Sequence, residues 1–301
     1  MKALVTGGCG FIGSHIVDKL VEEGHDVLVM DNMSAEQNAE FYKNDGAEYL
    51  LLDVSSDDDV ASLPQDVDWV FHLAAQSRIQ PAIHNPKHAC AVNIMGTCNM
   101  LEYARHSNVS RFMYSSTSAG YGLKNEIPLR EDMKRDCLNP YSSSKLAGED
   151  LCGVYHSLYG LETVSFRYFN VYGDRQPLKG QYAPVVGLFM EMSKNGQSMS
   201  IVGDGLQRRD FTHVSDVVQA NILAAKSENQ EVFGQILNVG TGSNNSVIEI
   251  AEMIGGDYHH IDERPGEARS TLADNTKLRE LLGWKPTVRI EDWISGIESR
   301  R

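Results

Sequence analysis

The sequence predicts an α/β fold, built on a doubly wound, mostly parallel sheet with helices on both faces. Short apolar runs, which are typical of buried strands, alternate with amphipathic helical segments through residue 170. The first unit turns from strand into helix at a run of glycines between residues 7 and 13, and its second strand ends in Asp31. The regular alternation fades after Val171, so we expect a smaller second lobe beyond that point.

Each element follows from a local pattern. Asn85-Pro86 and Pro140 mark helix starts, because proline suits the first turn of a helix, and Gly24 closes the first helix. Strands are expected at 3–5, 25–31, 47–54, 67–74, 111–116, 163–169, 198–202 and 236–239. Helices are expected from residue 12 to Gly24 and at 57–63, 86–105, 140–159, 184–194, 216–225, 247–254 and 275–282, with a final segment around Trp293.

The elements divide between two predicted domains. Residues 1–170 and about 212–242 form a Rossmann-type nucleotide-binding domain, and about 171–211 and 243–301 form a smaller, discontinuous α/β lobe. A cleft between unequal lobes is a usual place for a small ligand. In parallel sheets ligands lie at the carboxyl ends of the strands, which directs attention to the residues that follow each strand.

The glycine run is the first candidate site. Gly7, Gly10 and Gly13 allow a tight turn and close approach of the backbone to a pyrophosphate, which the N–H groups of the following helix would hold. Asp31 is placed to accept hydrogen bonds from a ribose diol. A 2′-phosphate there would meet a like charge, so the sequence favours NAD over NADP.

Composition narrows the classes of partner. Aspartate and glutamate total 41 against 27 lysines and arginines, and the net charge of −14 argues against nucleic acid or an anionic membrane as partner. An odd number of cysteines, five, without a CxxC pair indicates reduced thiols and a cytoplasmic protein. No apolar run has the length of a membrane span, and we expect no signal peptide. We also expect no metal site, because the paired histidines lack ligand geometry.

The second candidate site is the pair Tyr141 and Lys145, which share one face of the helix that begins at Pro140. An ammonium group and a positive nicotinamide ring would favour the phenolate. Lowering a tyrosine pKa from ~10 to ~7 takes about 4 kcal/mol. The hydroxyl cluster ending in Thr117 follows a predicted strand and could bind the same substrate oxygen. The alternative is a chance pairing among twelve tyrosines beside an ordinary polar loop.

Six motifs occur together and in order, and they cover nearly the whole chain. They are Gly7-x-x-Gly10-x-x-Gly13, Ser115-Ser116-Thr117, Tyr141-x-x-x-Lys145, Arg167-Tyr168-Phe169-Asn170-Val171-Tyr172-Gly173, Gly203-Asp204-Gly205-x-Gln207-x-Arg209-Asp210-Phe211 and Arg264-Pro265-Gly266-Glu267. In these motifs the chain resembles the extended short-chain dehydrogenase/reductases, specifically the nucleotide-sugar epimerases of the UDP-glucose 4-epimerase kind.

The resemblance implies C4 epimerisation of a UDP-sugar, either UDP-Glc/UDP-Gal or UDP-GlcNAc/UDP-GalNAc, through a transient 4-keto sugar and a retained NAD. Tyr141 would take the proton of the 4′-hydroxyl with Thr117 as its hydroxyl partner, while Lys145 would hold the nicotinamide ribose. The implied cofactor contacts are Gly7, Gly10, Phe11, Ile12, Gly13, Asp31, Asn32, Asp53, Val54, Leu73, Ala74, Ala75, Asn93, Ser115, Tyr141, Lys145 and Tyr168. The implied substrate contacts are Arg78, Thr117, Asn170, Arg209, Arg264, Glu267 and Thr271.

Departures from the family patterns bear on the reaction. Ser118 and Ala119 stand where dehydratases and sugar-acid decarboxylases of the family carry acids, which weakens both lyase interpretations. Thr271 is smaller than the tyrosine of some relatives and leaves room for an N-acetyl group. UDP-glucuronate 4-epimerisation, a lyase or reductase reaction and a non-catalytic dinucleotide sensor stay open as alternatives. The resemblance also implies a homodimer through the helices near 86–106 and 140–158.

Overall fold

The computed structural model describes residues 1–35, 40–178, 184–263 and 268–298. Its strands are β1 (Lys2–Thr6), β2 (Asp26–Asp31), β3 (Ala47–Leu51), β4 (Trp69–His72), β5 (Arg111–Thr117), β6 (Glu162–Tyr168), β7 (Val171–Tyr172), β8 (Met199–Val202), β9 (Arg208–Arg209), β10 (Thr212–His213), β11 (Gln235–Val239), β12 (Asn245–Ser246) and β13 (Tyr258–Ile261). Seven of them form one parallel sheet in the order β11-β6-β5-β4-β1-β2-β3. The predicted α/β fold with a doubly wound parallel sheet is confirmed.

The helices are α1 (Phe11–Glu22), α2 (Asp57–Ala61), α3 (Ile79–His84), α4 (Pro86–Cys90), α5 (Gly96–His106), α6 (Pro140–Tyr159), α7 (Val185–Lys194), α8 (Val214–Lys226), α9 (Val247–Ile254), α10 (Thr276–Leu282) and α11 (Ile290–Glu298). A π-helical segment, Ala91–Met95, joins α4 to α5, and 3₁₀ turns lie at Ser118–Tyr121 and Gln230–Val232. Among these described helices, none has both the length and the apolar character that a membrane crossing needs.

Two apolar layers hold the central sheet, because side chains alternate between its faces. Val5 of β1 joins the cluster that includes Ile16 of α1 and Val217 of α8. Leu4 joins the opposite cluster, with Leu101 of α5. All of these side chains are at most 1 % exposed, and burying each one contributes about 1.5–3 kcal/mol. The strand ends on which the predicted site depends are therefore set in a rigid frame.

A separate apolar cluster lies beyond the central sheet. It contains Phe189 of α7, Ile201 of β8 and Ile250 of α9. The proposed division into two domains places all of these in the smaller lobe. One part of that lobe behaves differently: Leu278 of α10 and the nearby Trp284 pack into the cluster of the central sheet. β11 lies in the segment of about 212–242 that was assigned to the first domain, and it joins the central sheet beside β6.

The predicted elements differ from the observed ones mainly at their ends, whereas β7, β9, β10, β12 and β13 were not predicted. The strands expected at 47–54 and 67–74 end at Leu51 and His72, and the following residues form loops at the carboxyl edge of the sheet. The short α3 is not apparent from the sequence pattern, since it spans only Ile79–His84 and contains Pro81. The helix expected at 216–225 spans Val214–Lys226, and the ring of His213 caps its start by accepting a hydrogen bond from the Ser215 N–H.

The close packing of the first turn of α1 generates a prediction. A Cβ at Gly13 would overlap Gly7 O and lie 2.8 Å from Gly8 Cα, whereas a Cβ at Gly153 in α6 would meet nothing within 4 Å. We expect Gly13→Ala to lower the free energy of unfolding by about 1–3 kcal/mol through overpacking. The matched Gly153→Ala variant should gain about 0.5–1 kcal/mol. Urea denaturation checks both, and an unchanged Gly13→Ala stability would contradict the close packing.

Candidate active site

The glycine turn between β1 and α1 has the shape of a phosphate cradle. Gly7 has φ +69°, and a Cβ there would come within 2.8 Å of the Ala74 backbone nitrogen. Gly10 precedes α1 and provides no side-chain cap. The first N–H groups of α1, at Phe11 and the residues after it, are therefore not capped by a side chain, and the positive end of the helix dipole lies at the turn. This arrangement fits an anionic diphosphate.

The carboxylate of Asp31 lies beside this turn at the end of β2. Its Oδ2 accepts a hydrogen bond from the Cys9 N–H at 3.0 Å, and its Oδ1 accepts one from the Met33 N–H at 2.8 Å. The side-chain amide of Asn32 donates to Asp53 at 2.8 Å. Three predicted cofactor residues from the ends of neighbouring strands thus lie along one edge of the sheet, next to the glycine turn.

Asn93, a predicted cofactor contact, is fully buried and bonded to protein groups. Its Oδ1 accepts a hydrogen bond from the Gln76 N–H at 2.8 Å, and its Nδ2 donates to Gln76 O at 3.1 Å and to Ser144 Oγ at 2.9 Å. The amide therefore ties the loop after β4, which carries Ala74 and Ala75, to α6. The structure gives Asn93 a positioning role in addition to the predicted contact.

The first turn of α6 brings Tyr141 to the end of β5. Asn139 caps the helix by accepting a hydrogen bond from the Ser142 N–H at 2.9 Å. The side chain of Thr117, the last residue of β5, lies close enough to the Tyr141 hydroxyl to oppose the effect of burial on its pKa. Thr117 Oγ1 accepts a hydrogen bond from the Ala119 N–H at 3.1 Å, which fixes its side chain. Two residues that the sequence separates by 24 positions are thereby brought close together.

Lys145 lies one turn after Tyr141 and is only 3 % exposed, with Nζ 4.4 Å from the centre of the Tyr114 ring. Burial lowers the pKa of Lys145 to about 7. Burial also raises the pKa of Tyr141, and the nearby side chain of Thr117 opposes that rise. The expected lowering of the Tyr141 pKa by Lys145 is therefore not found in the chain by itself, because burial penalises both charged forms.

Tyr168 and Ser115 occupy the same edge of the sheet. The Tyr168 hydroxyl lies 3.1 Å from Ser115 Oγ and accepts a hydrogen bond from Asn221 Nδ2 at 2.8 Å. Burial raises the pKa of Tyr168 to about 12, so its hydroxyl stays neutral. The other predicted cofactor residues differ in exposure: Val54 is buried in the core, while Phe11, Ile12 and Leu73 are half-buried.

Three predicted substrate residues meet around Asp210. Asn170 Nδ2 donates to Asp210 O at 2.9 Å and to Thr271 Oγ1 at 3.4 Å, and the Asp210 N–H donates to the same Thr271 oxygen at 3.3 Å. Arg209 adjoins Asp210 and donates to Arg208 O at 3.0 Å. The structure therefore brings Asn170, Arg209 and Thr271 together.

The carboxylate of Asp210 is a residue that the sequence reasoning did not assign. It is completely buried and accepts hydrogen bonds from Thr241 Oγ1 at 2.8 Å and from the N–H groups of Thr241, Gly242 and Ala273 at 2.8–3.0 Å. These bonds join the loop after β11 to the segment that carries Thr271. Asp210 thus fixes the rim on which the predicted substrate contacts lie.

The arginines have different outcomes. Arg78 precedes α3 and is half-buried, and burial lowers its pKa. Arg208 donates to Asn244 at 2.8 Å and to Glu249 at 3.1 Å, so its side chain links β9 to α9. Arg264 and Glu267 lie outside the described residues.

A buried ion pair behind the site was also missed. Glu149 of α6 binds Arg167 of β6 through two hydrogen bonds of 2.9 and 2.8 Å, and Ser116 donates to the same carboxylate at 2.5 Å. The spacing of Tyr141, Lys145 and Glu149 at four-residue steps is the signal that could have identified it. Within the described ranges, no group of three or more histidine, cysteine, aspartate or glutamate side chains is arranged to hold a metal ion.

Comparison with known proteins gives a family match over almost the full length. A family model described as GDP-mannose 4,6 dehydratase matches residues 4–297. The chain is 38 % identical over 302 residues to a putative UDP-glucose 4-epimerase of Methanocaldococcus jannaschii, with 98 % of this chain and 96 % of that protein covered. It is 36 % identical over 306 residues to a UDP-glucose 4-epimerase of Mycolicibacterium smegmatis, with the same coverage.

Comparison with solved structures gives the same kind of match. A UDP-N-acetylglucosamine 4-epimerase from Methanobrevibacter ruminantium, in complex with UDP-N-acetylmuramic acid, has a TM-score of 0.91 at 32 % identity, covering 100 % of this chain and 99 % of that one. A Thermus thermophilus UDP-glucose 4-epimerase in complex with NAD has a TM-score of 0.87 at 32 % identity, covering 98 % and 96 %.

A third solved structure carries a different sugar. The UDP-glucuronic acid 4-epimerase of Bacillus cereus, in complex with UDP-glucuronic acid and NAD, has a TM-score of 0.87 at 30 % identity, covering 98 % of this chain and 97 % of that one. These named relatives are UDP-sugar 4-epimerases, which are isomerases. The chain belongs to the extended short-chain dehydrogenase/reductases, in the group that contains the nucleotide-sugar 4-epimerases.

Proposed function

We propose that this protein catalyses NAD-dependent epimerisation at C4 of a UDP-sugar. The main support is the placement of the Thr117 side chain beside the Tyr141 hydroxyl, with the buried amine of Lys145 one helical turn away. A phenol held against a second hydroxyl is a suitable acid–base group for a sugar hydroxyl. The UDP-sugar 4-epimerases among the relatives support the same reaction.

The glycine turn and Asp31 support NAD as the cofactor. A diphosphate fits the N-terminus of α1, where Gly7 and Gly13 leave no room for a side chain. Asp31 Oδ1 and Oδ2 each accept one backbone hydrogen bond and keep lone pairs for a ribose diol. NAD, when bound, supplies a hydride acceptor that can later return the hydride to the sugar.

In the proposed reaction Tyr141 accepts the proton of the sugar 4′-hydroxyl and gives it back after the 4-keto sugar has turned over. Thr117 binds the same oxygen and holds Tyr141 in line. The charge on Lys145 stabilises the phenolate. Because the pKa of this amine is about 7, Lys145 gains or loses its proton within the physiological pH range. A dry pocket strengthens this attraction, although it also makes both charges costly.

The loop after β5 supports an epimerase over a lyase. Ser118 and Ala119 begin the 3₁₀ turn that follows Thr117, and neither carries an acid. A dehydratase needs an additional acid–base group to expel water from the sugar. The favoured outcome is therefore return of the hydride to C4 without elimination, although the matching family model is described as a dehydratase.

For the substrate, Arg209, Arg264, Asn170 and Glu267 are proposed contacts of the nucleotide diphosphate and its ribose. Arginine suits a diphosphate because its planar guanidinium binds two oxygens at once. Thr271 is half-buried and engaged by the neighbouring Asn170, so it presents a small side chain to the rim. Plain, N-acetylated and carboxylated sugars therefore all belong in a test of substrate range.

A homodimer through α4, α5 and α6 is proposed as the assembly. Four apolar side chains on these helices and the π-helical segment between α4 and α5 are 45–69 % exposed: Met95, Val154, Leu158 and Tyr159. Large apolar side chains clustered on adjacent helices are typical of an interface.

Replacing the phenol tests the proposed base. We expect the wild-type protein to form the C4 epimer from at least one of UDP-Glc, UDP-GlcNAc and UDP-GlcA without added cofactor. Tyr141→Phe should lower kcat by a factor of about 100 or more, because the proton acceptor is lost. NMR spectroscopy of the products resolves the epimers.

The control is Tyr258→Phe, which removes a phenol hydroxyl from the exposed strand β13 and should keep activity near the wild-type value. No epimer from any of the three sugars, or a fully active Tyr141→Phe, would overturn the proposed function.

The charge on Lys145 should also affect stability. Its pKa is about 7 in the fold against 10.5 for an exposed lysine, so keeping it charged costs up to about 5 kcal/mol at low pH. That cost is fully present below pH 7 and disappears as the pH rises toward 10.5. We expect Lys145→Met to raise the free energy of unfolding at pH 6 by several kcal/mol, with a much smaller gain at pH 9.

Urea denaturation at the two pH values measures this difference. Lys87→Met, on the exposed surface of α4, is the control and should leave the pH dependence of stability unchanged. A Lys145→Met variant that gains no more stability at pH 6 than at pH 9 would show that the buried amine carries no such cost.

A further inference from the structure

Glu149 lies directly behind the catalytic pair, on the same face of α6. Steps of four residues separate Tyr141, Lys145 and Glu149, so their side chains follow one another along the helix. The Glu149 side chain is fully buried, and the Arg167 side chain that it binds is 2 % exposed. The proposed mechanism does not use either of these charged groups.

The Glu149 carboxylate joins three elements. Its Oε1 accepts hydrogen bonds from Ser116 Oγ at 2.5 Å and from Arg167 Nε at 2.9 Å, while its Oε2 accepts from Arg167 Nη2 at 2.8 Å. Ser116 and Arg167 are register partners on β5 and β6, and the next pair in that register is Thr117 and Tyr168. Glu149 therefore fixes α6 one residue before the strand ends that carry the site.

Arg167 is held on its other side as well. Its guanidinium lies 4.7 Å from the centre of the Tyr121 ring. The Tyr121 hydroxyl donates to Asn238 of β11 at 2.6 Å. A second arginine, Arg135, approaches Glu149 at 3.6 Å from a more exposed position. The position of the Glu149 carboxylate is therefore set by ionic contacts on one side and by packing of Arg167 on the other.

The groups that face Lys145 differ in charge. Burial lowers the pKa of His72 to about 3 and raises the pKa of Cys152 to about 12. Burial also raises the pKa of Tyr114 well above 10. These three groups are uncharged near pH 7, as is Tyr141, whose pKa burial also raises. Of the described groups that face Lys145 from α6, β5 and β4, Glu149 is the carboxylate, and like Cys152 it opposes the effect of burial on the pKa of the amine.

We propose that Glu149, braced by Arg167, is a positioning residue that holds α6 against the ends of β5 and β6 and keeps the Lys145 amine protonated near neutral pH. The use of that charge in catalysis rests on the proposed function, whereas the charge state itself does not. A buried ion pair is a weak source of stability, because desolvation offsets the attraction. A role in setting the charge of Lys145 gives the pair a function in the site.

The sign of one measurement separates this role from simple structural support. Removing a negative charge near Lys145 lowers the pKa of its amine further. Loosening the packing instead admits water and raises that pKa toward its ordinary value of 10.5. The two explanations therefore predict opposite changes in one titration.

The test is a pH titration of the lysine side chains by NMR in the purified full-length protein, with Lys145→Met identifying the Lys145 signal. In Glu149→Gln we expect the pKa of Lys145 to fall from about 7 to about 6. Glu149→Asp, which keeps the charge, should restore a value near the wild-type one. An unchanged or raised pKa in folded Glu149→Gln overturns the proposal.

The matched control is Glu162→Gln, which removes the Arg111–Glu162 pair that joins the opposite ends of β5 and β6 at 3.0 Å. It should lower stability without moving the Lys145 titration. If Glu149→Gln does not fold, Glu149→Gln combined with Arg167→Met removes the unpaired guanidinium. Because this double variant removes one charge of each sign, the Lys145 pKa should fall there by less than in Glu149→Gln, and an unchanged or raised pKa overturns the proposal.

Activity supplies a separate arm. The kcat of Glu149→Gln relative to wild type should be near one at pH 5.5 and fall about tenfold by pH 8, since one pKa unit is a tenfold change in the charged fraction. A kcat ratio that does not change with pH overturns the catalytic part of the proposal. Absence of epimerisation in the wild-type protein would count against the proposed function alone, because the titration still decides the charge state of Lys145.

Discussion

Burial of charge is the constraint on which this site depends. The proposed chemistry needs a phenol, a hydroxyl and an ammonium group close together and away from water, and they come from the end of β5 and the first two turns of α6. Burial raises the pKa of Tyr141 and lowers that of Lys145 to about 7, so burial disfavours the charged form of both groups. Positive charge from a bound cofactor would favour the phenolate, and the carboxylate of Glu149 favours the ammonium group.

The predicted smaller lobe has to bind an anionic ligand although the chain as a whole is acidic. A chain with a net charge of −14 binds an anionic nucleotide sugar only if cations are placed locally. Arg209 lies next to Asp210, whose buried carboxylate accepts hydrogen bonds from backbone N–H groups. The Asp210 carboxylate is thereby kept away from solvent, and Asn170 and Thr271 are hydrogen-bonded to the Asp210 backbone.

Local pattern accounts for what could be predicted from the sequence. Pro140 and the αL residue Gly160 bound α6, so its limits at 140–159 were predicted correctly. The parallel order of the sheet follows from alternating strands and helices. The upward shift of the Tyr141 pKa could not be predicted, because it depends on burial by residues that are distant in sequence. The same is true of Asn93, whose amide is bonded to a distant loop and to α6.

In the proposed reaction, the hydrogen removed from C4 of the sugar returns to C4 within the same site. The direct measurement uses a UDP-sugar with deuterium at C4, incubated with the purified protein without added cofactor, and follows the label by NMR and mass spectrometry. We expect the C4 epimer to keep its deuterium in full and to gain no hydrogen from solvent at that carbon. Loss of the deuterium to water, or incorporation of solvent hydrogen at C4, would contradict it.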